Sequence, residues 1–328
     1  MRRREFNSWL GMAAPVWTSA AAAQTADRVH RVGVLAYWAA DDVEGRGRLA
    51  ALREALEHLG WRDGRNLRIE TRWASGDDVR RHAAELASSA PDILVAATGS
   101  ATVAPLLQAT RTIPIVFVTV IDPVGAGFVT NLARPGGNAT GFTNYEYGMS
   151  GKWLELLKEI SPRTTRAAVL RDPSVASGIG QFAAIQAVAP SLRVELSPID
   201  VRDAAEIERS IAAFAQGGTG GLVVTGSALA IVHRELIVAL AARHRLPAVY
   251  PGRFFIPAGG LVAYGPDLTD QFRRAASYVD RILKGAHPGD LPVQAPARYE
   301  LLINLGVAKA LGIDVSPTLL ARADETFE

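Results

Sequence analysis

The sequence predicts an α/β protein built of two Rossmann-like parallel-sheet lobes joined by a three-crossover hinge. Three observations carry this expectation. From residue 30 onward, short apolar runs alternate with amphipathic helical stretches. The runs are apolar almost without a break, as in Pro114-Ile-Val-Phe-Val118, which suits strands buried on both faces of a parallel sheet. The whole series then restarts near residue 166.

The first series opens with a strand at 32–37. Leu49, Leu52, Leu56 and Leu59, spaced by three and four, give a helix over 48–59 that Gly60 ends. Strand 67–73, helix 77–89, strand 92–97, helix 100–110 and strand 114–120 follow. The second series runs through strand 166–171, helix 176–188, strand 192–199, helix 203–215, strand 221–225, helix 229–244 and strand 247–250. The two echo each other in residues as well as in order. Val34-Leu35 recurs as Val169-Leu170, Leu67-Arg68-Ile69-Glu70 as Leu192-Arg193-Val194-Glu195, and Thr98-Gly99-Ser100-Ala101 as Thr225-Gly226-Ser227-Ala228, at offsets of 135, 125 and 127 residues.

A tail follows both series: strand 260–264, helix 268–284 closed by Gly285, a Pro-rich link at 288–296, strand 299–303 and helix 307–311. It is expected to cross between the lobes, giving crossovers near 142–145, 265 and 292–297. Several parallel hinge strands would restrict the lobes to opening and closing. The expected division is 28–142 plus 266–291 for the first lobe and 143–265 plus 292–328 for the second.

Composition excludes several chemistries. None of the 328 residues is cysteine, which removes disulfides, Cys-held metals, iron–sulfur clusters and a Cys nucleophile. The formal charge of +2 sits in residues 1–23, which hold Arg2, Arg3, Arg4 and Glu5; the rest carries 32 basic and 32 acidic residues. A formally neutral body with its basic pairs interleaved with acids offers no stripe for nucleic acid. The arginines, an apolar stretch at 9–20 and the run Ala20 to Ala23 form an export signal, and Arg3-Arg4-Glu5-Phe6 resembles its twin-arginine version. No cysteine follows it, so no lipid anchor is expected. Elsewhere no apolar run approaches the ~18–20 residues of a membrane span. A soluble extracytoplasmic protein is expected.

In facing parallel sheets, ligands collect beyond the carboxyl ends of the strands. The candidates there are Tyr37, Trp38, Thr98, Gly99, Ser100, Thr119 and Asp122 in the first lobe, and Asp172, Thr225, Ser227 and Tyr250 in the second; Thr143 and Tyr264 stand beside two crossovers. Each Thr-Gly-Ser segment lies at a strand-to-helix junction, where hydroxyls and free N–H groups suit a carboxylate. Plain helix capping accounts for either segment alone equally well; two in matching places across one cleft favour binding. Tyr37, Trp38 and Tyr250 are candidate walls for an apolar or aromatic ligand, or else strand-end core residues. Asp122 and Asp172 each precede a proline, as ligand-amine partners or as turn formers.

Catalytic motifs are missing. Gly45-Arg46-Gly47-Arg48-Leu49-Ala50 has glycine-motif spacing, yet seven residues separate it from the first strand, and two arginines fall inside it. There is no G-x-S-x-G elbow. His30, His58, His82, His233, His244 and His287 show no metal-ligand spacing. No enzyme, no cofactor and no metal are expected. The alternative, an exported α/β enzyme acting on a small carboxylate, needs a nucleophile or an acid/base pair in the cleft. The sensor core of a transcription regulator needs a DNA-binding module, for which residues 1–24 are too few.

The longest stretches carry a resemblance. Gly60-Trp-Arg-Asp-Gly-Arg-Asn-Leu-Arg-Ile-Glu70, Ile113-Pro-Ile-Val-Phe-Val118, Asp122-Pro-Val-Gly-Ala-Gly-Phe-Val129, Arg134-Pro-Gly-Gly-Asn-Ala-Thr-Gly-Phe-Thr143, Leu291-Pro-Val-Gln294, Tyr299-Glu-Leu-Leu-Ile-Asn304 and Leu319-Leu-Ala-Arg-Ala-Asp-Glu325 together span nearly the whole chain. The sequence resembles the ABC-transporter substrate-binding proteins of the type I periplasmic-binding fold, in the branch that includes tryptophan-type amino-acid binders. The resemblance implies a monomeric periplasmic receptor that closes on a small molecule, an amino acid or an aromatic or carboxylate compound, and docks onto a membrane ABC permease. This chain departs from many members in having Asp172-Pro173 for Asn-Pro, and Ser316 where Pro is common. The extra negative charge favours an amine-bearing or cationic ligand.

Overall fold

The computed structural model describes residues 28–74 and 76–328, so the expected export segment lies outside the described residues. In the first lobe, β1 (His30–Ala36), β2 (Leu67–Trp73), β3 (Ile93–Ala96), β4 (Ile115–Val120) and β5 (Ala139–Thr143) form an all-parallel sheet in the order β2-β1-β3-β4-β5. Its helices are α1 (Val43–His58), α2 (Asp78–Ser88) and α3 (Gly99–Ala109). Strand alternation divides them between the two faces. Val32, Val34 and Ala36 point to the α1 side, where Leu49, Leu52 and Leu56 pack; Leu35 points to the other, against Leu86 of α2 and Val103 and Leu106 of α3.

The second sheet has seven strands: β6 (Arg166–Arg171), β7 (Glu195–Asp200), β8 (Gly221–Val224), β9 (Ala248–Tyr250), β10 (Val262–Pro266), β11 (Tyr299–Asn304) and β12 (Glu325–Phe327), in the order β12-β11-β10-β9-β8-β6-β7. Helices α4 (Ser150–Ile160) and α5 (Ala176–Leu192) cover one face; α6 (Ala204–Ala215), α7 (Ala228–Val232) and α8 (Arg234–Arg243) cover the other. Strands β6 to β10 pair in parallel, but β11 pairs antiparallel with β10. The hinge strands are therefore not all parallel, because the chain reaches β11 by reversing direction after α9 (Leu268–Leu283).

Three links cross between the sheets. β5 leads out through Asn144; β10 of the second sheet runs into α9, which packs on α1 of the first; and the segment at Gln294 returns. Gln294 holds the first and third links together, its N–H donating to Gly141 O at 2.9 Å and its carbonyl accepting from Thr143 N at 2.8 Å. The remaining helices, α10 (Leu305–Leu311) and α11 (Pro317–Arg322), close the second lobe.

Local differences from expectation have local causes. The helix expected at 229–244 breaks at His233 into α7 and α8. The strand expected from residue 192 starts at Glu195, because Leu192 ends α5 and Arg193 turns left-handed at φ 54°. Pairing of β1 with β2 and of β6 with β7 then makes Val194, not Leu192, the counterpart of Leu67. The elements expected from sequence do not include β5, α4, α11 or β12.

Gly141, beside the first crossover, has φ 153°, and a Cβ there would lie 1.9 Å from Phe117 O on the neighbouring strand. Gly141→Ala is expected to destabilise the protein by about 2–3 kcal/mol, the scale of an overpacked core, measured by urea denaturation.

Candidate functional site

The carboxyl ends of β1, β3 and β4 face those of β6 and β8 across a cavity of ≈ 510 Å³. In the first lobe, Thr98 ends the strand side of the site and its polar groups serve the fold. Its Oγ1 accepts from Tyr37 N at 2.9 Å, tying β1 to β3, and its N–H donates to Thr102 Oγ1 at 3.0 Å. Helix α3 begins at Gly99, so Gly99, Ser100 and Ala101 present the N–H groups of a first turn to the cavity they line. Gly99 is required there: at φ 50°, a Cβ would meet Thr119 O at 2.9 Å. Thr119 itself is left-handed, φ 61°, within an irregularity of the β4–β5 ladder. A β-branched residue rarely holds this conformation, and here it faces the cavity.

Across the cavity, Asp172 follows β6 and is only 5% exposed. Its Oδ1 accepts from Ser174 N and Oγ, while Oδ2 has no partner among the described residues. Gly178 presses the first turn of α5 against this loop, since a Cβ would stand 1.8 Å from Asp172 O. The β8–α7 turn is fixed by Gln181, whose amide accepts from Gly226 N at 2.9 Å and donates to Gly226 O at 3.1 Å.

The structure thus brings Tyr37, Trp38, Thr98, Gly99, Ser100, Thr119, Asp172 and Ser227 to one cavity. The other five stand elsewhere. Asp122 is a turn former: its Oδ1 accepts from Gly125 N, and its Oδ2 accepts from Tyr147 OH across the lobes at 2.8 Å. Thr143 belongs to the Gln294 link. Thr225 is buried and donates to Leu170 O. Tyr250 is a core residue stacked on Phe255 at 4.7 Å, and burial raises its phenol well above the ordinary value. Tyr264 stacks on Tyr299 beside the hinge.

The paired Thr-Gly-Ser segments are not structural twins. Ala97 N and Thr225 N donate to matching carbonyls, Leu35 O and Leu170 O, so Thr225 corresponds to Ala97 rather than Thr98. The second segment caps a five-residue helix, with Ser227 accepting from Ala230 N. Only the first leaves a long helix's opening turn on the cavity.

Several cavity residues are not among the sequence candidates, Tyr145, Ile231, Phe254, Asn144 and Arg48 among them. Asn144 carries a buried Oδ1 with no partner among the described residues. Arg48, on α1, is 3% exposed, and its guanidinium lies 5.5 Å over Trp38 of its own lobe and 5.1 Å over Phe254 of the other. Burial lowers its pKa from the usual arginine value, partly opposed by Glu44 and Asp42. The signal was Gly45: a Cβ there would lie 2.8 Å from the Trp38 ring, so a glycine three residues before Arg48 makes room for the indole. Nearby, Asp42 caps α1 through Gly45 N and takes Arg234 of α8 across the cleft at 2.8 Å. Among the described residues, no cluster of three or more His, Asp or Glu is placed to hold a metal, and no helix is long and apolar enough to cross a membrane.

The family model described as ABC transporter substrate binding protein matches residues 42–327. A tyrosine-binding protein of Clostridioides difficile (strain R20291) is 28% identical over 79% of this chain and 74% of its own. Among solved structures, a conserved domain protein of Vibrio cholerae superposes with a TM-score of 0.84 at 27% identity, over 91% of this chain and 100% of that one. The ABC domain from Streptococcus pneumonia in complex with L-Trp also gives 0.84, at 22% identity, over 91% and 99%.

Ser100 is partly buried on the cavity wall, and its hydroxyl makes no hydrogen bond among the described residues. Ser100→Ala is therefore expected to leave the melting temperature of the ligand-free protein unchanged. It should weaken ligand binding about 3–10-fold, one hydrogen bond's worth, by calorimetric titration.

Proposed function

The chain belongs to the ABC transporter substrate-binding proteins, and from that premise we propose that it captures an α-amino acid with an aromatic side chain and delivers it to a membrane permease. The observation that carries this reading is the pairing of unlike groups on one cavity. The opening turn of α3 and the Ser100 hydroxyl offer donors, while Asp172 Oδ2 and Asn144 Oδ1 offer acceptors. A carboxylate and an ammonium group on adjacent atoms satisfy both sets, which neither an amine nor an acid alone does. Trp38, Tyr145, Ile231 and Phe254 supply apolar wall for a large side chain. The tyrosine-binding relative and the L-Trp complex support the aromatic class.

In this reading residues 1–23 direct export, the protein works as a monomer in the periplasm, and the three links let the lobes open. Asp42–Arg234 and Asp122–Tyr147 hold them together on the two sides of the cleft.

The test is thermal stabilisation by a native-state ligand. L-Tyrosine, L-phenylalanine or L-tryptophan should raise the melting temperature, whereas tyramine and 3-(4-hydroxyphenyl)propionate, each lacking one head group, should not. Equal stabilisation by tyramine or the acid would remove the amino-acid reading.

A further inference from the structure

Arg48 is the charged group on this cavity for which the head-group scheme has no use. Among the described residues its Nε–H is buried without a partner, and the one ion pair it makes is a long contact, Nη2 to Glu44 at 3.5 Å. The other charged and phenolic groups that bear on it are Asp42, Arg234 and Tyr145. Its position relative to the head groups follows from the sheet. Arg48 is on α1 and Ser100 on α3, and these helices cover opposite faces of the first sheet. The second lobe repeats the division. Phe254, over which the guanidinium lies, packs in the core on the α6–α8 face, whereas Asp172 leads into α5 on the other. Ile231 of α7 also reaches the core that holds α1. The cavity therefore has an α3–α5 side with Ser100 and Asp172, and an α1–α7 side with Arg48, with apolar wall between them.

We infer that Arg48 is a specificity residue for the far end of the ligand, donating from its guanidinium to a hydrogen-bond acceptor on the side chain, a phenolic hydroxyl or a carboxylate. This rests on the amino-acid reading above, which places the head group at Ser100 and Asp172. A ligand without that acceptor leaves a buried guanidinium N–H unmatched, the kind of mismatch that discriminates most strongly. Phenylalanine offers nothing at this end. Tryptophan offers an indole N–H, a donor that faces another donor.

The test is calorimetric titration of the intact protein with L-phenylalanine, L-tryptophan, L-tyrosine and 4-carboxy-L-phenylalanine, repeated on Arg48→Met and Arg48→Gln. For the wild type, tyrosine or 4-carboxyphenylalanine should bind at least tenfold more tightly than phenylalanine and tryptophan, the better of the two showing whether the acceptor is neutral or anionic. Arg48→Met keeps the stem between Trp38 and Phe254 but donates nothing, so the preference should collapse while phenylalanine affinity stays within about threefold. If Arg48 only helped the lobes meet, the variant would weaken all four ligands alike. That outcome, or a wild type that binds phenylalanine as tightly as both acceptor-bearing ligands, overturns the inference and leaves the amino-acid reading standing. No binding of any of the four overturns both. Should Arg48→Met fail to fold, the wild-type series and Arg48→Gln decide alone.

Discussion

The architecture depends on where α9 buries its apolar face. The strand before it lies in the second sheet, yet Phe272, Ala275, Ala276, Val279 and Ile282 pack with Leu49, Leu52 and Leu56 of α1 in the first lobe's core. Two adjacent alanines on that face let the helices approach closely. Asp280 at the edge of the contact accepts from Trp61 Nε1 at 2.9 Å and pairs with Lys284 at 2.7 Å, so its partly buried charge is matched. Burial of five apolar positions against a neighbouring core is worth several kcal/mol. The contact forces the chain to cross back, and the third link follows because β11 belongs to the second sheet. A two-sheet protein tied by three links keeps its strand ends facing one another, which is the condition for a cleft.

Within that cleft, the fold uses its own hydroxyls selectively. Thr98 spends its side chain on Tyr37 N, Thr102 on the turn into α3, and Thr225 on Leu170. The Ser100 hydroxyl and Asp172 Oδ2 are left without a partner among the described residues. The left-handed Thr119 fits the same division. Its carbonyl fills the space a side chain at residue 99 would need, which holds the opening turn of α3 against the end of β4. Strain at one residue is offset by fixing three N–H groups in place.

The sequence made the sheets legible because buried parallel strands are nearly unbroken apolar runs, and Val32 to Ala36 and Ile115 to Val118 read that way without context. Helix α4 was equally well patterned, with Trp153, Leu154, Leu157 and Ile160 buried, but it opens after Met149 with no side-chain cap and follows a crossover whose length was unknown. Helix α1 was placed five residues late, since its true cap, Asp42, stands before a stretch broken by Gly45 and Gly47. That displacement hides Arg48 by putting it at a helix start. The site was legible to the extent that it lies on strand ends. Tyr250 also ends a strand, but β9 is three residues long, and its last side chain turns into the core beside Phe255. The sequence echo at Thr225 suggests symmetry with Thr98, and only hydrogen-bond register shows that its counterpart is Ala97.

A buried guanidinium with one long ion pair is a poor source of stability. Removing a charge from water costs several kcal/mol, and neither the 3.5 Å contact with Glu44 nor two aromatic faces at more than 5 Å replaces the lost hydration of Nε. A leucine or methionine would fill the space between Trp38 and Phe254 at lower cost. What the apolar residue lacks is direction, for the planar guanidinium holds its N–H bonds at fixed angles between two fixed rings. The same holds for Asp172, whose second oxygen is kept from turning by Ser174. In the proposed reading, donor and acceptor groups held this way on opposite sides of an apolar cavity define a length and a polarity for the ligand to match.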